Sequence, residues 1–233
     1  SKAMIYFNDN KVEKAIIEFL FVVNNFQRTS YFKEALSGLQ SAYVSLARVD
    51  EYLAIVNELS EISISIAEQD SLIYNTAFMK FSEGDYLVSY TTFNQYLEKF
   101  ENGIFRSDAI YYNAISSLKI GDTTNAVLMY NQLVETSNKE YRQSALTFLA
   151  RKYYMADDYS SSNLYYQILE EVASNNSLKR EAIIRLMYGN ENLDPILAFK
   201  YAKQVVELDK KDDWLTSKAK IIIARNEFSS GNY

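Results

Sequence analysis

The chain is 233 residues long, 48% hydrophobic and 23% charged, so it can bury a sizeable core and is not disordered as a whole. Its net charge of −6 argues against a nucleic-acid footprint, which needs a clustered positive face. Cysteine and histidine are both absent, which excludes disulfides, thiolate catalysis, Cys or His metal sites, a histidine base and a Ser-His-Asp triad.

Six glycines and one proline favour long helices joined by short loops. Ala3 to Phe7 reads as the tail of a first helix whose partner begins near Lys11. Turn signals then recur at Asn10-Lys11-Val12, Arg48-Val49-Asp50, Gly84-Asp85-Tyr86, Gly121-Asp122-Thr123, Asp157-Asp158-Tyr159, Leu193-Asp194-Pro195 and Gly231-Asn232-Tyr233. With positions 10, 47, 84, 121, 157, 193 and 231 as markers, the steps are 37, 37, 37, 36, 36 and 38 residues. A second series, Ala35, Ala109, Ala145, Ala182 and Ala219, keeps the same period, with Leu72 where the missing alanine falls. Each period holds two apolar segments at helical spacing, for example Ile73, Ala77 and Phe81, then Tyr86, Tyr90, Phe93, Tyr96, Leu97 and Phe100. Gly84 and Gly121 suit the left-handed end of a first helix. Asp85 and Asp122 suit the cap of a second, and Pro195 a helix start. The predicted units are a half-repeat at 1–28, hairpins at about 30–66, 69–101, 105–137, 141–174 and 178–209, and a half-repeat at 214–233, all in one domain. The hairpin near 178–208 fits the period only with one residue lost at its internal turn.

Gly84-Asp85-Tyr86 followed by Phe93, and Ala114 followed by Gly121-Asp122, Ala126 and Tyr130, resemble the tetratricopeptide repeat. That pattern has a small residue midway along the first helix, here Ala3, Ala77, Ala114, Ala150 and Ala224. It has another in the second helix, here Ala15, Ala126 and Ala198, with Ser89 and Ser162 as substitutes. Phe19, Phe93, Tyr130 and Tyr166 match its second-helix aromatic. The period exceeds the family's 34 residues, and the usual proline after the second helix is missing. The stretch from Phe100 to Tyr112 is similar to linkers of bacterial cell-envelope members, of the Tol-Pal-associated and outer-membrane-assembly lipoprotein type. The resemblance implies an all-α, right-handed α-solenoid of helical hairpins. It also implies a non-enzymatic protein–protein scaffold in a bacterial periplasm or envelope, the cytoplasm being the alternative compartment. In this family the first helices line the groove that holds a protein or peptide ligand. The positions here are Tyr74, Phe78, Tyr111, Ile115, Arg151, Tyr154 and Met155. A basic clamp for a partner's C-terminal carboxylate is not expected, since only Arg151 and Lys119 are basic at the corresponding positions.

No catalytic, cofactor-binding or metal-ligating constellation is expected. P-loop, dinucleotide and metalloprotease patterns are missing, and the acidic pairs Asp157/Asp158, Glu170/Glu171 and Asp212/Asp213 read as solvated helix ends. No stretch approaches the roughly 18 apolar residues of a membrane span. Asn175-Asn176-Ser177 fits a glycosylation sequon. The alternative function is a glycan-binding or glycan-active helical protein whose groove aromatics stack on sugar rings. The half-repeats suggest a piece of a longer chain. Its last helix, with Ile221, Ile222, Ile223 and Phe228, would then lack a covering partner, and end-to-end self-association of the piece is expected.

Overall fold

A computed structural model describes residues 1–59, 62–208 and 213–231. The described residues are helical, without a strand. In chain order the helices are α1 (Lys2–Asn8), α2 (Val12–Asn25), α3 (Ser30–Ser45), α4 (Val49–Glu58), α5 (Ile66–Glu83), α6 (Tyr86–Lys99), α7 (Arg106–Lys119), α8 (Thr123–Leu133), α9 (Lys139–Met155), α10 (Tyr159–Val172), α11 (Asn176–Gly189), α12 (Pro195–Leu208) and α13 (Trp214–Ser229). Odd and even helices alternate as first and second members of hairpins, so the fold is the all-α helical repeat that the period predicts. Where the sequence reading has one domain, contacts gather the chain into two compact units, Ser1–Ala126 and Val127–Tyr233, divided within α8. Asp212, the Asn232-Tyr233 end of the last turn signal, and the 209 and 233 limits of the last two predicted repeats lie outside the described residues.

One device makes the turns. Asn10, Ala47, Gly84, Gly121 and Asp157 have φ of 58°, 55°, 81°, 85° and 57°, the left-handed conformation that ends a helix. After each, the next N–H donates back five residues. These bonds are Lys11 to Tyr6 (2.8 Å), Arg48 to Tyr43 (2.9 Å), Asp85 to Lys80 (3.0 Å), Asp122 to Ser117 (2.8 Å) and Asp158 to Tyr153 (3.0 Å). The recurring sequence period is therefore a recurring backbone bond. Glycine adopts this φ freely, whereas Ala47 does so against its Cβ, at a cost of about 1–2 kcal/mol. Asp85 and Asp122 cap as expected, accepting from Val88 N–H at 3.3 Å and Asn125 N–H at 2.9 Å.

The marker at Leu193 is corrected. There α11 ends at Gly189 and a turn of residues 190–194 follows, with no positive φ among its residues. The turn is longer than the three-residue turns at 120–122 and 156–158, not one residue shorter. The buried Asn190 closes the helix instead: its amide donates to Leu186 O at 2.8 Å and its carbonyl accepts from Asp194 N–H at 2.9 Å. Asp194 then caps α12 through the N–H groups of Ile196 and Leu197, both at 3.0 Å, with Pro195 as the first helical residue.

The small and aromatic residues of the repeat do what their spacing predicts. Ala3, Ala77, Ala114 and Ala150 on first helices are buried, as are Ala15, Ser89, Ala126, Ser162 and Ala198 on second helices, with Phe19, Phe93, Tyr130 and Tyr166 beside them. Ala224 departs from the series and is exposed, because the buried stripe of α13 runs through Thr216, Ala219 and Ile222 instead.

In the first unit the 100–105 linker is tied down by a buried carboxylate. The Tyr96 hydroxyl donates to Asp70 Oδ1 at 2.7 Å and accepts from Phe105 N–H at 3.0 Å, while Ile104 N–H donates to Asp70 Oδ2 at 2.9 Å. A Cβ at Gly103 would stand 2.3 Å from the Tyr96 hydroxyl, so only glycine lets the linker pass this close. Burial holds the Tyr96 phenol well above its ordinary pKa, and the bond to Asp70 adds to that.

Candidate partner-binding surfaces

The four candidates in the first unit are partly or wholly covered. Tyr74, on α5, is 8% exposed. Its ring stacks on Phe105 at 4.4 Å and lies 5.9 Å from both Phe93 and Tyr96, so it belongs to the core. Burial accordingly raises its phenol pKa far above the usual value. Phe78 is half-buried, edge-on to Tyr112 at 4.9 Å. Tyr111 and Ile115, on α7, are half-buried too. The first unit also carries two clefts that sequence reasoning did not find. One, of about 750 Å³, lies among α1, α2 and α3 and is lined by Met4, Phe7, Phe19, Phe21 and Tyr31. The other, of about 520 Å³, has Gln40, Tyr52, Ser71 and Asn75 on its walls.

The second unit brings its candidates to a surface shared by α9, α11 and α13. Arg151 pairs with Glu181 through two nitrogens, Nε standing 2.7 Å from Oε1. The Tyr166 hydroxyl donates to the same Oε1 at 3.2 Å. Arg151 holds the Glu181 carboxyl below its ordinary pKa, against the opposing effect of partial burial. The Tyr154 ring lies under the Arg185 guanidinium, 4.4 Å from its centroid, a cation–π contact. Tyr154 also meets Tyr159 edge-on at 5.2 Å. Met155 is 79% exposed and Trp214 is 75% exposed. The indole lies nearly parallel to Tyr188, at 6.3 Å and 21°. Glu191 Oε1 accepts from Lys218 at 2.8 Å and from Arg225 at 3.1 Å.

The sequence reading named Arg151, Tyr154 and Met155 here but missed Glu181, Arg185, Tyr188 and Trp214. The signal was present: positions 181, 185 and 188 are four and three apart, one helical face. Among the described residues no group of three or more His, Cys, Asp or Glu could hold a metal ion, and no helix is long and apolar enough to cross a membrane.

No family model matches the chain. No curated protein matches it either. Solved structures do. One is the Pseudomonas aeruginosa PilF structure, at 12% identity and a TM-score of 0.43, over 94% of this chain and 93% of that one. The C-terminal part of a TPR repeat-containing protein from Cytophaga hutchinsonii matches at 13% identity and a TM-score of 0.35, over 93% and 97%. The P58(IPK) TPR domain matches at 10% identity and a TM-score of 0.32, over 99% and 87%. Likenesses this distant carry no functional weight, and the hairpins rest on the bonds described above.

Proposed function

We propose that the chain is a non-enzymatic scaffold that binds a protein or peptide, with the α9, α11 and α13 face of its second unit as the contact surface. The observation that carries this reading is the exposure of Met155 and Trp214 beside a ring platform and ordered guanidiniums. Tyr, Trp, Met and Arg are the residues enriched at interface centres, and rings already stacked lose little entropy on binding. In the first unit the half-buried Phe78, Tyr111 and Ile115, with Tyr74 behind them in the core, are a separate and lesser candidate surface. The likeness of the 100–112 linker to envelope proteins supports a setting in a bacterial envelope; fractionating source cells with an antibody to the chain tests that part.

The test of binding is quantitative affinity capture from extracts of source cells, with the wild-type chain and a Tyr154→Ala/Trp214→Ala variant compared side by side. Partners retained by the wild type and lost from the variant, with the variant's circular dichroism unchanged, support the scaffold. Identical partner sets would refute the surface. Trp214 stacked flat on Tyr188 also suits a sugar ring, so a glycan array is the companion test. Saturable glycan binding abolished by Trp214→Ala would favour the glycan reading instead.

A further inference from the structure

Resting on that reading, we infer that the surface takes an internal acidic segment of a partner protein, one that carries an aromatic or large aliphatic side chain between its carboxylates. The charge bookkeeping of the face points to it. Arg151 is matched by Glu181. Lys218 and Arg225 share the single carboxylate of Glu191. Arg185 is exposed, and its guanidinium rests on the Tyr154 ring; Glu181, one turn earlier on α11, also attracts it but is already bound by Arg151. The nearby Asp157 accepts from the Tyr159 hydroxyl at 2.7 Å, a neutral donor, so its carboxylate still counts on this face. From Arg185 at one end to Glu191 at the other, the face therefore sets four cations, Arg151, Arg185, Lys218 and Arg225, against the three carboxylates of Glu181, Asp157 and Glu191, a local positive excess within a chain whose net charge is −6.

Between these two places stands the Tyr188–Trp214 pair, on the same helices. A guanidinium stacked on a ring keeps its N–H groups free to fork onto a carboxylate. The adjacent indole offers apolar area to the neighbouring side chain of the same segment. A long polyanion is disfavoured by the acidity of the whole chain, which repels it beyond the local face. Side-chain carboxylates, spaced by apolar residues, match both features.

Fluorescence anisotropy of labelled peptides with blocked ends, titrated with the whole chain, tests this. The probes are 12-mers of alternating Glu and Phe, of Lys and Phe, and of Glu and Ser, together with a uridine oligonucleotide. The Glu/Phe peptide should bind at least tenfold more tightly than either other peptide, and more weakly as salt is raised. Arg185→Gln and Trp214→Ala should each weaken it about tenfold, while Tyr31→Ala, an exposed position in the first unit, should leave it unchanged. Equal binding of the Lys/Phe peptide, indifference to Arg185→Gln in a variant with unchanged circular dichroism, or tighter binding of the oligonucleotide would each overturn the inference. If Trp214→Ala weakens binding but Arg185→Gln does not, the charge assignment fails and the scaffold survives. If the captured partners also ignore both substitutions, the scaffold surface itself fails.

Discussion

Removing one oxygen at Tyr96 tests how the linker between α6 and α7 is held. Tyr96→Phe deletes the donor to Asp70 Oδ1 at 2.7 Å and the acceptor of Phe105 N–H at 3.0 Å, and leaves the fully buried ring in place. A hydrogen bond to a charged group contributes about 1.5–3 kcal/mol, and a buried N–H left without a partner costs about 1–3 kcal/mol. Asp70 keeps one bond, from Ile104 N–H at 2.9 Å, so the two losses do not add in full, and about 2–4 kcal/mol of destabilisation is expected. Tyr166→Phe is the control. It removes a 3.2 Å bond to Glu181, a carboxylate that Arg151 already holds, and should cost about 1 kcal/mol. Urea denaturation followed by circular dichroism gives the two values. Hydrogen exchange localises the first, since the Ile104 and Phe105 amides should exchange faster in Tyr96→Phe. If Tyr96→Phe costs no more than Tyr166→Phe and those amides keep their protection, the buried carboxylate does not hold the linker.

Phe93→Ala empties a fully buried site and should cost about 3–5 kcal/mol, whereas Met155→Ala should stay within about 0.5 kcal/mol in thermal melts; equal losses would put Met155 in the core. A Cβ at Gly38 would stand 2.4 Å from the Phe19 ring, so Gly38→Ala should destabilise by about 1–3 kcal/mol despite its better helix propensity, and a raised melting temperature would contradict that packing. Glu181 has a folded-state pKa below its usual value of 4.5, so its contribution is present above that value and is lost as pH falls through the lower, folded one. Melting temperatures taken from pH 6 down to pH 2.5 should therefore fall more steeply for the wild type than for Glu181→Gln, and parallel curves would show that Arg151 does not favour the ionised form.

The hairpin architecture was legible because period, capping and burial coincide. Position 84 shows all three, with a glycine at φ 81°, a capping Asp85 after it and the buried Phe93 downstream. Ala47 and Asp157 carry the same left-handed turn without a glycine to announce it, and only the spacing exposed them. The α11–α12 turn was misread because Asn190, not a left-handed residue, closes the helix, and side-chain closure leaves no period-keeping mark. The proposed surface was half legible. Spacing places Tyr74 and Tyr154 on equivalent faces. Which of them is covered depends on Phe105, which a linker held by Asp70 and Gly103 folds over Tyr74. Within α5 only Asp70 bears on that contact, and it does so through Tyr96 and the linker rather than through the spacing of the helix.

The most direct test of the account is residue-specific photo-crosslinking in source cells. A photoreactive phenylalanine would be placed in turn at Met155, Arg185 and Trp214 on the proposed face, and at Thr91 and Leu164 on exposed stretches of second helices. The account predicts one shared protein adduct from the first three positions and none from the last two. Adducts of equal yield from Leu164, or none from Met155 and Trp214 while Leu164 labels a partner, would contradict it.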